Sequence, residues 1–540
     1  MVKILKNNKY FLCVLIISII FGGLTYKNLP VSGPKMGNQT IDGVTYNFSD
    51  YPTLNHEQLG LLHYAQDLLM SEPVNSFDNF YGSLFASYIM FLFAFTEYAM
   101  ASLFETTPGY RTEAYETAAY RLIEKMNTSE ADYGNDSIEY IRWGKTNFDE
   151  YYYPNATDPS GVYVGGFRGP ANIMWSAHYV LMESLYKRSF NTNELDSEIS
   201  WFIQDWNNSL QTDGFGNEME GGIWGNGLIP CEPYIDFVQC NSIAVYSTVL
   251  YDNLFGTGYT GMWDFGLNFI NTTMREIEGS TFIDGWFIQE PIGSLGGMAG
   301  GGIEEIPGPA MDGEVPNDSS YCNAWSMTFL ESVMPNNFTE DYDEFIENYR
   351  VDVTGDKMYL SGSLGNPGSF GSINDMLGTL FTCILAKQNG DYDTLNRLQN
   401  FLNSPYNKVW SEDGREMHYD TSDFIAFLAP VLSVLRIWAT TPFTVNDLVT
   451  PRPAEFWNYP YISQADDDSI WVYQAQWDPA PEKSAFILNL KVDQVATLTF
   501  SNFDHVPTAY SRGDSLGELT VSGSDYTLAL TPGSYNLVIK

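Results

Sequence analysis

Apolar residues in this chain keep a helical period over most of its length and then switch, once, to an alternating one. From about residue 55 to 440 they recur every three or four positions, in about twelve segments parted by loops rich in Gly, Pro and Asn. The clearest segments are 84–106, 112–126, 171–187, 241–255, 373–389 and 422–439. Near 450 the period shortens. "AFILNLKV", "VATLTFSN" and "YTLALTPGSYNLVIK" read as strands bounded by turn residues. The two patterns are not interchangeable, because a helix face repeats about every 3.6 residues and a strand face every two. The chain is therefore expected to be mainly α, with a helical domain at 50–450 and a small antiparallel β-sandwich module at 456–540. About twelve helices in consecutive antiparallel pairs suggest an (α/α)6 toroid of six hairpins. An irregular helical domain accounts for the same count.

Composition narrows the function. The formal charge is −41 because Lys and Arg together number only 26, so a basic face for nucleic acid is not expected. Aromatic residues make up 15%, which suits helices stacked around an aromatic-lined cavity. Residues 1–30, "MVKILKNNKYFLCVLIISIIFGGLTYKNLP", place lysines ahead of an apolar run of about fourteen residues, as in a signal sequence or an uncleaved membrane anchor. No small-x-small cleavage site follows, which favours the anchor, and the remainder is expected to be extracytoplasmic. Nine N-x-S/T sequons, Asn38, Asn127, Asn155 and Asn337 among them, fit a glycosylated surface protein. The Gly-rich stretch "GSLGGMAGGGIEEIPGP" at 293–309 follows no strand, so it reads as a long loop rather than a phosphate cradle.

Two regions hold residues suited to chemistry. In "ANIMWSAHYVLMESLY" (171–186), Met174, Ala177, His178, Leu181, Met182 and Leu185 share one helix face, so His178 points inward. In a simple core that would be a hydrogen-bonded structural histidine; in a toroid the inward face lines a cavity. The second region is "LIPCEPYIDFVQCNS" from residue 228. Pro230 and Pro233 stiffen the loop that carries Cys231 and Glu232, and Cys240 stands at the start of a helix, where unpaired N–H groups favour a thiolate. The residues leave three readings open: a structural disulfide, a reactive pair, and half of a metal site. The metal reading lacks a second Cys or His pair at ligand spacing.

The strings "CEPYIDFVQCNSIAVYSTVLYDNLFGTGY", "NIMWSAHYVLMESLY" and "SSYCNAWSMTFLESVMP" resemble, in order and separation, segments of the linalool dehydratase/isomerase family. The C-E-P-x5-Q-C-N-S string is the most specific of them, and the likeness runs more thinly over about 60–440, through "AFTEYAMASL" and "RLIEKM". The resemblance implies the six-hairpin toroid, and a reaction that dehydrates a tertiary allylic terpene alcohol or isomerises it to the primary alcohol. It implies no metal and no organic cofactor. Carried over by motif, the catalytic groups are Cys231, Cys240, His178, Tyr321 and Asp67. The substrate wall is Met174, Glu232, Phe237, Gln239, Trp325 and Phe91. The resemblance also implies that Asp67, in "HYAQDLL", is presented from a neighbouring subunit, hence a homo-oligomer with its site at the subunit interface. Two positions depart from the family: Pro73 replaces a tyrosine, and Phe91 replaces another, with Tyr88 a turn away.

These residue types meet the demands of such a reaction. An acid must protonate the hydroxyl, electron-rich rings must steady the allylic cation, and a base must remove a proton or direct returning water. Cys231 and Cys240 are expected at the reacting carbons, with His178 and Asp67 on the hydroxyl side; a transient Cys–carbon adduct is the alternative. The expected partner is a small apolar allylic alcohol or alkene. Two rivals remain at this level. One is an extracellular glycoside hydrolase or lyase built on paired carboxylates. The other is a non-catalytic surface protein whose β-module binds a glycan.

Overall fold

The computed structural model describes residues 37–76, 89–138, 173–212, 217–222, 225–231, 235–274, 286–288, 313–315, 319–362, 370, 373–403, 407–420 and 428–540. The N-terminal apolar segment, Tyr88, Glu232 and the Gly-rich stretch at 293–309 lie outside the described residues.

Among the described residues, twelve helices reach ten residues or more. They are α1 (His56–Met70), α2 (Ile89–Thr106), α3 (Glu113–Met126), α4 (Ile173–Phe190), α5 (Asp196–Gln211) and α6 (Val238–Phe255). They continue as α7 (Asp264–Thr273), α8 (Ser320–Val333), α9 (Pro335–Tyr349), α10 (Ile373–Gln388), α11 (Tyr392–Leu402) and α12 (Leu428–Thr440). The even-numbered helices form a closed ring: α2 packs on α4, α4 on α6, α6 on α8, α8 on α10, α10 on α12, and α12 back on α2. Five odd-numbered helices lie outside it, α3 against α2 and α4, α5 against α4, α9 against α8, α11 against α10, and α1 against α12.

Sequence explains which helices go inside. A helix that is apolar all round has no face suited to water and must be surrounded by protein. In α2 only Phe91 and Glu105 escape full burial. By length and composition α2 could cross a membrane, yet it is buried in the protein body. The outer helices carry apolar side chains on one stripe, as α11 does with Thr394, Leu395, Leu398, Phe401 and Leu402. Close approach inside the ring needs a missing side chain at Gly378 of α10, where a Cβ would lie 2.1 Å from Ser320 Oγ of α8. The buried Lys387 at the end of α10 donates to the carbonyls of Trp438, Thr441 and Phe443 at 3.0, 2.8 and 2.7 Å, binding the carbonyl end of α12. Burial pulls its ammonium pKa down to about 7.

The change from helix to strand expected near 450 is present. Two antiparallel sheets follow. The four-stranded one runs Tyr461–Ala465, Ala496–Ser501, Asp525–Leu530, Thr520–Ser522 in spatial order. The five-stranded one runs Ile470–Asp478, Ala485–Val492, Gly533–Ile539, Thr508–Ser511, Asp514–Glu518. Alternation on the strand Ala485–Val492 gives each face its own partner. Phe486, Leu488 and Leu490 join the core that continues into the helices. Ala485 and Ile487 pack with Val538 under an N-terminal hairpin, Asn38–Ile41 with Val44–Asn47, through Ile41, Tyr46 and Phe48. The loop after α2 attaches to both sheets: Gly109 N–H donates to Ala475 O at 2.7 Å, and its carbonyl accepts from Ile462 N–H at 2.8 Å. A side chain at 109 would meet the Phe486 ring at 2.6 Å, so this junction requires glycine.

Candidate active site

His178 occupies the middle of α4 and is wholly buried inside the ring. Its Nδ1 lies 2.7 Å from the hydroxyl of Tyr98 on α2. Aromatic rings close around it. Phe91, Phe95 and Trp325 stand with centroids 5.3, 5.9 and 5.6 Å from the imidazole, all presenting steep ring angles. Trp325 stacks in turn on Phe381 of α10 at 5.1 Å. Helical spacing produces this convergence: Phe91, Phe95 and Tyr98 share one face of α2, Met174 and His178 are one turn apart on α4, and Tyr321 and Trp325 one turn apart on α8. Burial pulls the His178 pKa down to about 3 and drives the Tyr98 phenol well above its usual range. The neighbouring Glu97, Cys240 and Tyr246 side chains add to the Tyr98 shift after burial.

The two cysteines are held by Asn241 and a backbone bond. Asn241 Oδ1 accepts from Ile229 N–H, and its amide donates to the carbonyls of Ile229 and Phe237, all at 3.0 Å. This side chain thus staples the loop before Cys231 to the first turn of α6, which carries Gln239 and Cys240. Ile173 N–H, at the start of α4, donates to Pro230 O at 3.1 Å and links the same loop to the helix of His178. Cys231 Sγ donates to Phe237 O at 3.9 Å. Cys231, Cys240, Cys322 and Cys383 are all buried thiols, none of them in a disulfide. Among the described residues no three His, Cys, Asp or Glu side chains gather as a metal site would require.

Among the described residues, His178 Nε2 on α4, Gln239 Oε1 on α6 and Trp325 Nε1 on α8 are polar atoms of the expected site residues buried without a hydrogen-bond partner. Leaving a buried polar atom unpaired costs about 1–3 kcal/mol, so a cluster of them on adjacent helices is characteristic of a place where a ligand completes the bonding.

Of the expected site residues, Met174, His178, Cys231, Gln239, Cys240 and Trp325 are buried in the ring. Phe91, Phe237 and Tyr321 are partly buried and pack against the same core. Glu232 lies outside the described residues. Asp67 is elsewhere. It is exposed on the outer helix α1, at a cleft of about 1010 Å³ between α1, residues 413–416 and the sandwich. His63, Asp467 and Trp471 also line that cleft. Burial and the charge of Asp67 raise the Glu416 pKa there, and burial with the charge of Asp468 raises Asp467 to about 7. Within one chain, therefore, Asp67 and His178 belong to different surroundings. The sequence reading also missed Tyr98 and Asn241. Tyr98 follows Phe91 by seven residues on one helix face, a spacing that would have flagged it.

Residues 91–279 match the family model described as linalool dehydratase/isomerase. Among solved structures, a GH127 beta-L-arabinofuranosidase from Geobacillus stearothermophilus T6 is similar at 12% identity, with a TM-score of 0.37. That likeness covers 89% of this chain and 78% of the other.

Proposed function

We propose, from the match of residues 91–279 to the linalool dehydratase/isomerase family model, that the chain is a cofactor-independent hydro-lyase and allylic isomerase. Its substrate is a small, mainly apolar allylic alcohol or the corresponding alkene, bound inside the helix ring, which we read as the inner ring of an (α/α)6 toroid. The observation that carries this reading is the set of unpartnered buried atoms on His178, Gln239 and Trp325. They offer few hydrogen bonds inside a wall of Phe91, Phe95 and Trp325. Such a site suits one hydroxyl on a hydrocarbon; a sugar would leave many hydroxyls unsatisfied.

The chemistry follows from the residue types. Hydroxide leaves poorly, so an acid protonates it as the C–O bond breaks, and the bonding pair departs with oxygen as water. Aromatic faces steady the allylic cation in the absence of water. Loss of a proton to a cysteine thiolate gives the diene, and return of water at the far allylic carbon gives the isomeric alcohol. Cys231 and Cys240 serve as the acid/base groups, one S–H protonating the leaving hydroxyl and its thiolate taking the proton from carbon, with His178 and Tyr321 holding the hydroxyl. Exposure of Asp67 on α1 suits a residue offered to a second copy of the chain, so the working enzyme is a homo-oligomer. Residues 1–30 anchor it to a membrane with the remainder extracytoplasmic.

The test is incubation of purified, reduced protein with a panel of allylic alcohols and alkenes, read by gas chromatography. Dehydration or isomerisation that disappears in His178→Ala and in either cysteine variant supports the reading. Polysaccharide hydrolysis indifferent to those changes overturns it in favour of a glycosidase.

A further inference from the structure

We propose that Tyr98 is a positioning residue that fixes the tautomer of His178, so that the imidazole meets the substrate as an Nε2–H hydrogen-bond donor and not as a base. The role toward substrate rests on the dehydratase reading; the tautomer does not.

Hydrogen-bond bookkeeping decides the direction of the Tyr98–His178 bond. The two groups approach to 2.7 Å, and both residues are almost completely shielded from solvent. Among the described residues, Nδ1 of His178 is the one recorded partner of the Tyr98 hydroxyl. If Nδ1 carried the hydrogen and donated it, the phenolic hydrogen would be left without an acceptor where water does not reach, at a cost of about 1–3 kcal/mol. If Tyr98 donates, its single hydrogen and the Nδ1 lone pair satisfy each other. The rings lie within 16° of parallel with centroids 6.0 Å apart, which suits approach of the hydroxyl to that lone pair near the imidazole plane.

A neutral imidazole holds one hydrogen. With Nδ1 accepting, that hydrogen is on Nε2, the atom left buried without a partner beside Phe91 and Trp325. Burial keeps the ring neutral at physiological pH, because it lowers the imidazole pKa to about 3. His178 is therefore unsuited to collecting a proton and well suited to holding an oxygen lone pair. In the reaction, Nε2–H orients the hydroxyl and keeps its own hydrogen. A cysteine S–H supplies the proton that turns hydroxyl into water. The resulting thiolate then removes a proton from the carbon beside the allylic cation, which restores S–H and gives the diene. The same geometry sets specificity: an alcohol or ether oxygen accepts from Nε2–H, whereas the isosteric ammonium, with no lone pair, does not.

The experiment uses full-length protein carrying ¹⁵N-histidine, with His178 assigned by loss of its signal in His178→Gln. Two-bond ¹H–¹⁵N correlation spectra report the tautomer without substrate. The expected result is an Nε2–H ring in wild type. Tyr98→Phe is expected to give a mixed or Nδ1–H ring, with at least a tenfold fall in kcat and a smaller change in KM. An Nδ1–H ring in wild type overturns the proposal even if Tyr98→Phe does not fold. So does a folded Tyr98→Phe with unchanged tautomer and turnover. An Nε2–H ring in a protein that converts none of the allylic compounds upholds the Tyr98 assignment and overturns the dehydratase reading.

Discussion

The Tyr98 hydroxyl lies 2.7 Å from His178 Nδ1, although the residues are 80 positions apart and on different helices. The bond exists because α2 and α4 are neighbours in the ring, each presenting one face inward. It uses one end of the imidazole and leaves the other without a partner among the described residues. An interior built for stability alone would pair both ends, so the site trades some stability for an available group.

That trade is measurable at Trp325, whose Nε1 is likewise unpaired. Trp325→Phe keeps a ring against Phe381 and removes the unsatisfied N–H. Thermal unfolding should show a change within about 1 kcal/mol of wild type, in either direction, as the lost ring volume offsets the removed polar atom. Turnover of an allylic alcohol should fall at least tenfold, as gas chromatography would show.

Cys231 and Cys240 are thiols in this structure, so neither contributes a cross-link. Cys231→Ser and Cys240→Ser should each nearly abolish turnover while moving the melting temperature only slightly. A disulfide would behave oppositely, with loss of either cysteine costing about 2–4 kcal/mol. Melting curves with and without reductant should coincide.

Asn241 makes three buried bonds to backbone at 229 and 237. Asn241→Ala removes these partners from Ile229 N–H and Ile229 O, while Phe237 O keeps the contact from Cys231 Sγ, and should cost about 2–3 kcal/mol in chemical denaturation. Because the staple positions the Cys231 loop against Cys240, activity should fall by more than the unfolded fraction explains.

Acidity in the interdomain cleft gives a signed pH effect. Burial and the charge of Asp468 raise the Asp467 carboxyl from 3.8 to about 7, so the folded protein binds this proton more tightly than the unfolded chain does. Its contribution is fully present below pH 3.8 and is lost as pH rises through about 7. Asp467→Asn removes that dependence. Relative to wild type, the variant should gain stability on the order of 2 kcal/mol between pH 4 and pH 8. Urea denaturation at several pH values checks both sign and window.

Periodicity made much of this molecule legible. Long segments such as 171–187 and 241–255 became inner helices, because most of their positions are buried and the more exposed ones, Lys187 and Asn253 among them, fall near the C-terminal ends. His178 was readable as inward-facing for the same reason. Other features depend on contacts between distant parts of the chain. The run Ala485, Phe486, Ile487, Leu488 shows that both faces of its strand are covered, but not that residues 38–48 cover one of them. Asn241 looked like part of a motif, whereas its work is to hold backbone at 229 and 237. Tyr98 needed the ring's neighbour order before its partner could be known.

The hairpin at 38–47 also has a mechanical meaning. Asp42 in that hairpin forms an ion pair with the last residue, Lys540, at 2.8 Å, and Gln39 donates to Asn536 O at 2.7 Å, so both ends of the described chain meet on one sheet. Tension applied to the N-terminal side must peel or shear these strand contacts before it reaches α1, where Leu54 N–H is itself bonded to Tyr473 O at 2.9 Å. The sandwich thus lies in the load path ahead of the helices, like the collar on a cable: were residues 1–30 the proposed anchor, a pull from it would bear first on these contacts and only then on α1.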